Sequence, residues 1–156
     1  GLSPDAKILD VGCGTGILSR ILKPKGFTNM DGVDASKNFV ESNNRNGIYN
    51  DCEFLYLGQG DDKLPEKYHS KYDAVIGSGV FIPNHMPKEC FDDVYTSLKM
   101  KGFFCTAIRS YVWKEGQEIG YYDYMQKLIE AGKFELYKSH EFERGSEEGD
   151  VEYFHK

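Results

Sequence analysis

The chain has 156 residues, 40% of them hydrophobic and 28% charged, a length and composition that indicate one globular domain over 1–156 with a single core. Its net charge of -6 argues against a long grip on nucleic-acid phosphates, because that grip needs clustered Lys and Arg side chains. Its apolar stretches are shorter than the roughly 20 residues that cross a bilayer. We therefore expect a cytoplasmic protein with no membrane or nucleic-acid partner.

The first half of the chain alternates between strand and helix patterns. An apolar run at 7–11 ends in a cluster of glycines, and apolar residues then recur at helical spacing from Ile17 onward. A second strand is predicted at 27–33 and is followed by a helix with Ser36 as its N-cap. A third strand is predicted at 52–57.

The second half continues this alternation and then departs from it. Strands are predicted at 73–77 and 102–108, with an irregular loop at 78–87 after the first of them. A helix joins that loop to the strand at 102–108. The apolar stripe of this helix is formed by Phe91, Val94, Tyr95 and Leu98. After a further helix, the segments 134–142 and 151–155 predict a terminal antiparallel hairpin. This order favours an α/β, Rossmann-like three-layer sandwich with a mostly parallel sheet.

The glycine cluster after the first strand has the sequence D-V-G-C-G-T-G at 10–16. Glycines in such a turn allow a ligand to approach the backbone, although a tight connection without a ligand would need them as well. A nicotinamide fingerprint would place its third glycine at position 17, which is Ile17. The carboxylate of Asp10 would repel a pyrophosphate but suits the ammonium and sulfonium charges of S-adenosylmethionine.

A second acidic residue, Asp34, ends the second predicted strand. The carboxyl ends of neighbouring parallel strands meet at one edge of a sheet, so Asp34 is expected beside the glycine cluster. A carboxylate there can accept hydrogen bonds from both hydroxyls of a ribose. The alternative is that Asp34 is an acidic residue at a helix N-terminus, next to Ser36.

The motifs D-V-G-C-G-T-G and G-V-D-A-S, the latter at 32–36, resemble those of class I S-adenosylmethionine-dependent methyltransferases. The resemblance spans nearly the whole chain. It implies a seven-stranded sheet of order 3-2-1-4-5-7-6, with S-adenosylmethionine as cofactor and S-adenosylhomocysteine as product. The cofactor-binding residues expected on this basis are Asp10, Gly12, Cys13, Gly14, Thr15, Gly16, Asp34, Ala35, Gln59, Ser78 and Gly79.

Three further segments resemble the methyltransferase-like proteins of the Williams-Beuren syndrome chromosome region group. They are G-F-T-N-M-D-G-V-D at 26–34, G-V-F-I-P-N-H-M-P at 79–87 and F-F-C-T-A-I-R-S at 103–110. Such proteins often carry an acid after the third strand that meets the adenine amino group. This chain has Gln59 there, whose carbonyl could accept the same hydrogen bond, with Asp61 close behind as the alternative.

The residues that would contact a methyl acceptor are less clearly marked. The chain lacks the Asn/Asp-Pro-Pro-aromatic run of enzymes that methylate amino groups of bases and glutamine, and it lacks a Pro-Cys nucleophile. His85 could orient or deprotonate an acceptor, or it is an ordinary surface histidine. Arg109 and Tyr111 follow the fifth predicted strand and could bind an anionic or planar acceptor.

The four cysteines, at positions 13, 52, 90 and 105, form no C-x-x-C pair and no Cys/His cluster, so we predict free, mostly buried thiols and no metal site. Cys13 lies near a predicted helix N-terminus, which can lower the pKa of a thiol. The simpler interpretation is that the turn requires a small side chain.

These features predict methyl transfer from S-adenosylmethionine to a small molecule or a protein side chain. One alternative is a noncatalytic cofactor-binding partner module, and another, disfavoured by Ile17 and Asp10, is a nicotinamide-dependent oxidoreductase domain. Resembling enzymes usually carry an N-terminal helical segment that covers the cofactor, and only six residues precede the first predicted strand. We therefore expect a cleft that is open on one side and retains cofactor binding better than turnover.

Overall fold

The computed structural model describes residues 1–59, 64–144 and 147–156. Its strands are β1 Ile8–Val11, β2 Met30–Asp34, β3 Asp51–Phe54, β4 Tyr72–Ser78, β5 Leu98–Arg109, β6 Glu135–Arg144 and β7 Glu147–His155. Its α-helices are α1 Ile17–Leu22, α2 Lys37–Arg45, α3 Cys90–Ser97 and α4 Tyr121–Glu130. None of the helices within the described ranges is long and apolar enough to span a membrane.

The strands form one sheet of order β3-β2-β1-β4-β5-β7-β6, which confirms the predicted topology. β1 to β5 are parallel, and β7 runs antiparallel to both β5 and β6. Asp10 in the central strand lies opposite Gly32 of β2 and Ile76 of β4. The carboxyl ends of β1, β2 and β4 therefore meet at one edge, where this class of sheet binds its ligands.

Two hydrophobic clusters cover the two faces of the sheet and give the three layers. Successive strand residues point to opposite faces, so Leu9 belongs to the cluster under α3 and α4, whereas Ile8 belongs to the cluster under α2. The larger cluster contains a group of contacting aromatic rings, formed by Phe81, Phe91, Phe104 and Tyr121.

The boundaries of some elements differ from the sequence prediction. Leu98, predicted as the last residue of a helical stripe, is the first residue of β5, where its backbone is extended. It is fully buried in the larger cluster, and that burial suits a helix or a strand equally well. The predicted second and third strands are shorter in the structure, and the second strand of the hairpin is longer.

Candidate functional site

A cavity of about 770 Å³ lies at the carboxyl ends of β1, β2 and β4. A volume of this order suits a nucleoside-sized ligand. Ten of the eleven residues predicted to bind the cofactor line it, namely Asp10, Gly12, Cys13, Gly14, Thr15, Asp34, Ala35, Gln59, Ser78 and Gly79. The structure therefore brings together residues from the ends of β1, β2 and β4 and from the segment after β3, which are far apart in the sequence.

The three glycines of the motif all have left-handed backbones, with φ of 65° at Gly12, 51° at Gly14 and 80° at Gly16. A Cβ on Gly12 would lie 2.4 Å from Val80 Cγ1, so this glycine allows two loops to touch. The nearest atom to a Cβ on Gly14 would be 4.0 Å away, which leaves this backbone open to a ligand. A Cβ on Gly16 would lie 2.4 Å from Ile48 Cγ2. Gly16 therefore serves close packing, and it is the predicted residue that lies outside the cavity lining.

The carboxylate of Asp34 is held by backbone donors on both sides. Gly14 N donates to Oδ2 at 2.8 Å, and Ser36 N donates to Oδ1 at 2.8 Å. Ser36 is the N-cap of α2, as predicted, and its hydroxyl accepts from Phe39 N at 3.5 Å. Each oxygen of Asp34 keeps a further lone pair, so the same carboxylate can support the helix start and still accept ligand hydroxyls.

Asp10 is buried, with 1% of its surface exposed. Burial raises the pKa of its carboxyl to about 7, a hydrogen bond from Tyr49 acts in the opposite direction, and the nearby charge of Asp34 raises it further. The Tyr49 hydroxyl donates to Asp10 Oδ2 at 2.6 Å. The Tyr49 ring lies over Gly32 of β2, where a Cβ would be 3.0 Å from Tyr49 Cδ2.

The sequence did not indicate Tyr49 as part of the site. Its only signal was Gly32 in the middle of a buried strand, since a glycine there often marks a close approach by another group. The sequence likewise did not indicate Asn43, whose Nδ2 donates to Gly14 O at 2.8 Å and thereby ties α2 to the glycine loop.

Cys13 lies inside this network with its Sγ 3.6 Å from Cys52 Sγ. The hydrogen bond with Cys52 and burial raise the pKa of the Cys13 thiol above its ordinary value. This direction opposes the activated thiol and agrees with the requirement for a small side chain. As predicted, all four cysteines are free, and three of them are buried.

The sequence also matches a known family over most of the residues that build this site. Residues 9–104 match the methyltransferase domain. The chain belongs to this family. Its members are class I S-adenosylmethionine-dependent methyltransferases, as the motifs predicted, and the cofactor of the family is S-adenosylmethionine.

Two relatives of the chain are methyltransferases. Methyltransferase-like protein 27 from Homo sapiens is 30% identical over 134 residues, which cover 83% of this chain and 51% of the relative. Ribosomal protein L11 methyltransferase from Staphylococcus saprophyticus is 31% identical over 100 residues, 64% of this chain and 31% of the relative. The chain thus spans about half of the first relative and about a third of the second.

A solved structure has the same fold. It is a TehB-like SAM-dependent methyltransferase from Corynebacterium glutamicum, 20% identical with a TM-score of 0.69, and the match covers 97% of this chain and 80% of that one.

The loop after β4, residues 79–87, forms the wall of the methyltransferase cavity on the side away from Asp34. His85 lines the cavity and is exposed, with Nδ1 3.3 Å from Pro83 O. Tyr121, the first residue of α4, donates its hydroxyl to Ile82 O at 3.3 Å and to Met86 O, which anchors the loop from the core. A smaller cavity of about 360 Å³ adjoins this loop and shares Gln59, Asn84, His85, Met86 and Pro87 with the larger one.

The other predicted acceptor residues lie elsewhere. Arg109 Nη1 donates to the Tyr111 hydroxyl at 3.0 Å, both side chains are exposed, and neither lines the cavity. The alternative adenine contact, Asp61, lies outside the described residues.

Proposed function

We propose that the chain is the cofactor-binding domain of a cytoplasmic S-adenosylmethionine-dependent methyltransferase that acts on a small molecule or a protein side chain. The observation that carries this proposal is a single cavity that combines a glycine loop with two carboxylates, Asp10 and Asp34. Two carboxylates in one site favour a ligand with ammonium and sulfonium charges and disfavour a pyrophosphate. The family assignment supports the same cofactor.

The residues present fit the parts of this cofactor. The open backbone at Gly14 can receive its amino-acid part, and the free lone pairs of Asp34 can accept from its ribose hydroxyls. Leu55 and Leu57 offer apolar surface to the adenine, and Gln59 can pair with the adenine amino group. The cofactor supplies a methyl group that its sulfonium already activates.

The protein then has to position the acceptor and exclude water from it. The smaller cavity next to His85 is the place we assign to the acceptor, because it shares one wall with the cofactor cavity. His85 is exposed and is part of that shared wall, so it can orient an acceptor or remove its proton. A protein side chain remains among the acceptor classes because one relative is named a ribosomal protein L11 methyltransferase.

The test is transfer of a labelled methyl group to fractionated acceptors, with small metabolites, peptides and ribosomal proteins as separate pools. We expect one pool to become labelled and the label to depend on His85. His85→Ala should slow transfer by about 10²-fold and leave cofactor affinity unchanged, whereas His140→Ala, an exposed histidine on β6, should have no effect. Cofactor binding without label in any pool would favour the noncatalytic module instead.

A further inference from the structure

Asp10 and Tyr49 form a buried pair at the base of the cofactor cavity. Asp10 is 1% exposed and Tyr49 is 5% exposed, yet Asp10 belongs to the cavity lining. The Tyr49 hydroxyl is the side-chain donor of the Asp10 carboxylate, with 2.6 Å between the two oxygens. Tyr49 follows α2 and reaches β1 only because Gly32 on the intervening strand has no side chain. The fold thus brings this hydroxyl to a carboxylate 39 positions away.

The other groups around Asp10 provide no positive charge. The titratable groups that face it are Asp34 at the end of β2, the thiol of Cys13, and Tyr49 itself. The Cys52 thiol lies against Cys13. On the β4 side its neighbour is Ile76. Within the described ranges, Asp10 forms no ion pair with a Lys or Arg side chain. An ionised Asp10 therefore depends on Tyr49 until a cation enters the cavity.

We propose that Tyr49 is a positioning residue for the cofactor, whose hydroxyl keeps the Asp10 carboxylate ionised and fixed beside the glycine loop, so that the cavity prefers the cationic cofactor. This role rests on the proposed function, because it requires S-adenosylmethionine to occupy the cavity. A hydrogen bond to a charged group is stronger than a bond between neutral groups, so the phenol favours the ionised form.

The proposal has a direct consequence for the pH dependence of binding. The pKa of Asp10 in the free protein lies at about 7, so the carboxylate becomes protonated as the pH falls below that value. A protonated Asp10 no longer attracts a sulfonium or an ammonium. Affinity for S-adenosylmethionine should therefore decline as the pH falls through about 7, and removal of the Tyr49 hydroxyl should shift this decline to higher pH.

The experiment is calorimetry from about pH 5.5 to about pH 8.5 with three ligands that differ in charge. S-adenosylmethionine carries both cations, S-adenosylhomocysteine carries the ammonium alone, and 5′-methylthioadenosine carries neither. We expect Tyr49→Phe to weaken binding of S-adenosylmethionine about tenfold at pH 7 and to shift the midpoint upward by about one pH unit. Binding of S-adenosylhomocysteine should weaken less, and binding of 5′-methylthioadenosine should not change.

The matched control is Tyr72→Phe. Tyr72 is also fully buried and donates to an aspartate, Asp31, at 2.9 Å, but this pair lies at the amino end of β4, away from the cavity. Removal of that hydroxyl should destabilise the fold without a shift in the binding midpoint. If Tyr49→Phe fails to fold, replacement of Tyr49 by 3-fluorotyrosine keeps the ring and strengthens the donor, and the midpoint should then move to lower pH.

The outcomes distinguish the role of Tyr49 from the proposed function of the chain. Equal shifts in both tyrosine variants, or equal losses for all three ligands in Tyr49→Phe, would mean that Tyr49 is only structural and would overturn the proposal. Failure of the unaltered protein to bind any of the three ligands would instead refute the proposed function, and this role with it. A charge-dependent shift in Tyr49→Phe alone supports the proposal.

Discussion

The carboxylate of Asp34 accepts hydrogen bonds from two segments of backbone, at Gly14 and at Ser36. We expect Asp34→Ala to weaken binding of S-adenosylhomocysteine by roughly 1.5–3 kcal/mol, because a charged acceptor for ligand hydroxyls is lost. The variant should also lose about 1 kcal/mol of folding stability, since two backbone donors lose their partner. Calorimetry and denaturant unfolding measure the two effects.

A matched control for Asp34 is Asp123→Ala. Asp123 accepts from the backbone N–H of Gly116 at 3.0 Å and lies outside the cavity lining, so its loss should affect stability alone. An unchanged dissociation constant in Asp34→Ala would leave Asp34 with only its role at the start of α2.

Asp10 combines a cost in stability with a use in binding. Because its pKa is raised to about 7, the ionised form destabilises the fold; that penalty is absent below the ordinary pKa of 3.8 and grows as the pH rises to about 7. We expect Asp10→Asn to raise the free energy of unfolding at pH 8 by roughly 1–3 kcal/mol relative to the unaltered chain, with a smaller difference at pH 5, as measured by denaturant unfolding at the two pH values. Binding of S-adenosylmethionine should weaken in the same variant. A stability difference independent of pH would show that Asp10 carries no buried charge.

The sequence predicted the residues of the site where they belong to a local pattern, and it missed those that arrive from elsewhere. Asp10 and Asp34 follow from their places at the ends of strands. Tyr49 and Asn43 have no motif of their own, because their partners lie across a strand or on another element. Arg109 and Tyr111 followed a strand end as well, yet the structure places them against each other.

Gly58 holds the segment after β3 against the start of α3. Its φ is 70°, and a Cβ there would lie 2.5 Å from Cys90 N, while its own N–H donates to Asp93 Oδ2 at 2.7 Å. We expect Gly58→Ala to destabilise the fold by about 2–4 kcal/mol and to weaken cofactor binding, because the neighbouring Leu57 and Gln59 line the cavity.

Gly47→Ala separates backbone strain from this close packing. Gly47 has a similar φ of 59°, but a Cβ there would meet nothing within 4 Å. This control should therefore lose only about 1 kcal/mol and keep its affinity. Equal losses of stability in both variants, measured by denaturant unfolding, would contradict the docking of Gly58 on α3.

Helices and strands could be predicted where apolar periodicity and capping residues agree. They were harder to predict where a residue is simply buried, because burial suits a helix and a strand equally. Ser36 is the N-cap of α2 as predicted, because its side chain accepts a hydrogen bond from the backbone of the first turn. Leu98 could not be assigned from its apolar character, since it is buried in either structure. Its place at the start of β5 depends on pairing with Tyr72 of β4, a contact that no local pattern reveals.

The architecture of the whole chain followed from the alternation of strands and helices, with a final hairpin. The exact strand order came from the resemblance to class I methyltransferases, because alternation alone does not specify which strands are neighbours. The acceptor does not follow from the fold, since one architecture supports many chemistries. The features of the structure that relate to the identity of the acceptor are the size and polarity of the smaller cavity beside His85.

Calorimetric titration with S-adenosylhomocysteine and, separately, with NADH tests the central claim most directly. Both ligands carry adenosine, but NADH adds a pyrophosphate that the carboxylates of Asp10 and Asp34 would repel. We expect S-adenosylhomocysteine to bind with a dissociation constant in the micromolar range, about -8 kcal/mol, and NADH to bind at least about 100-fold more weakly. Comparable binding of NADH together with no binding of S-adenosylhomocysteine would contradict the assignment of this cavity.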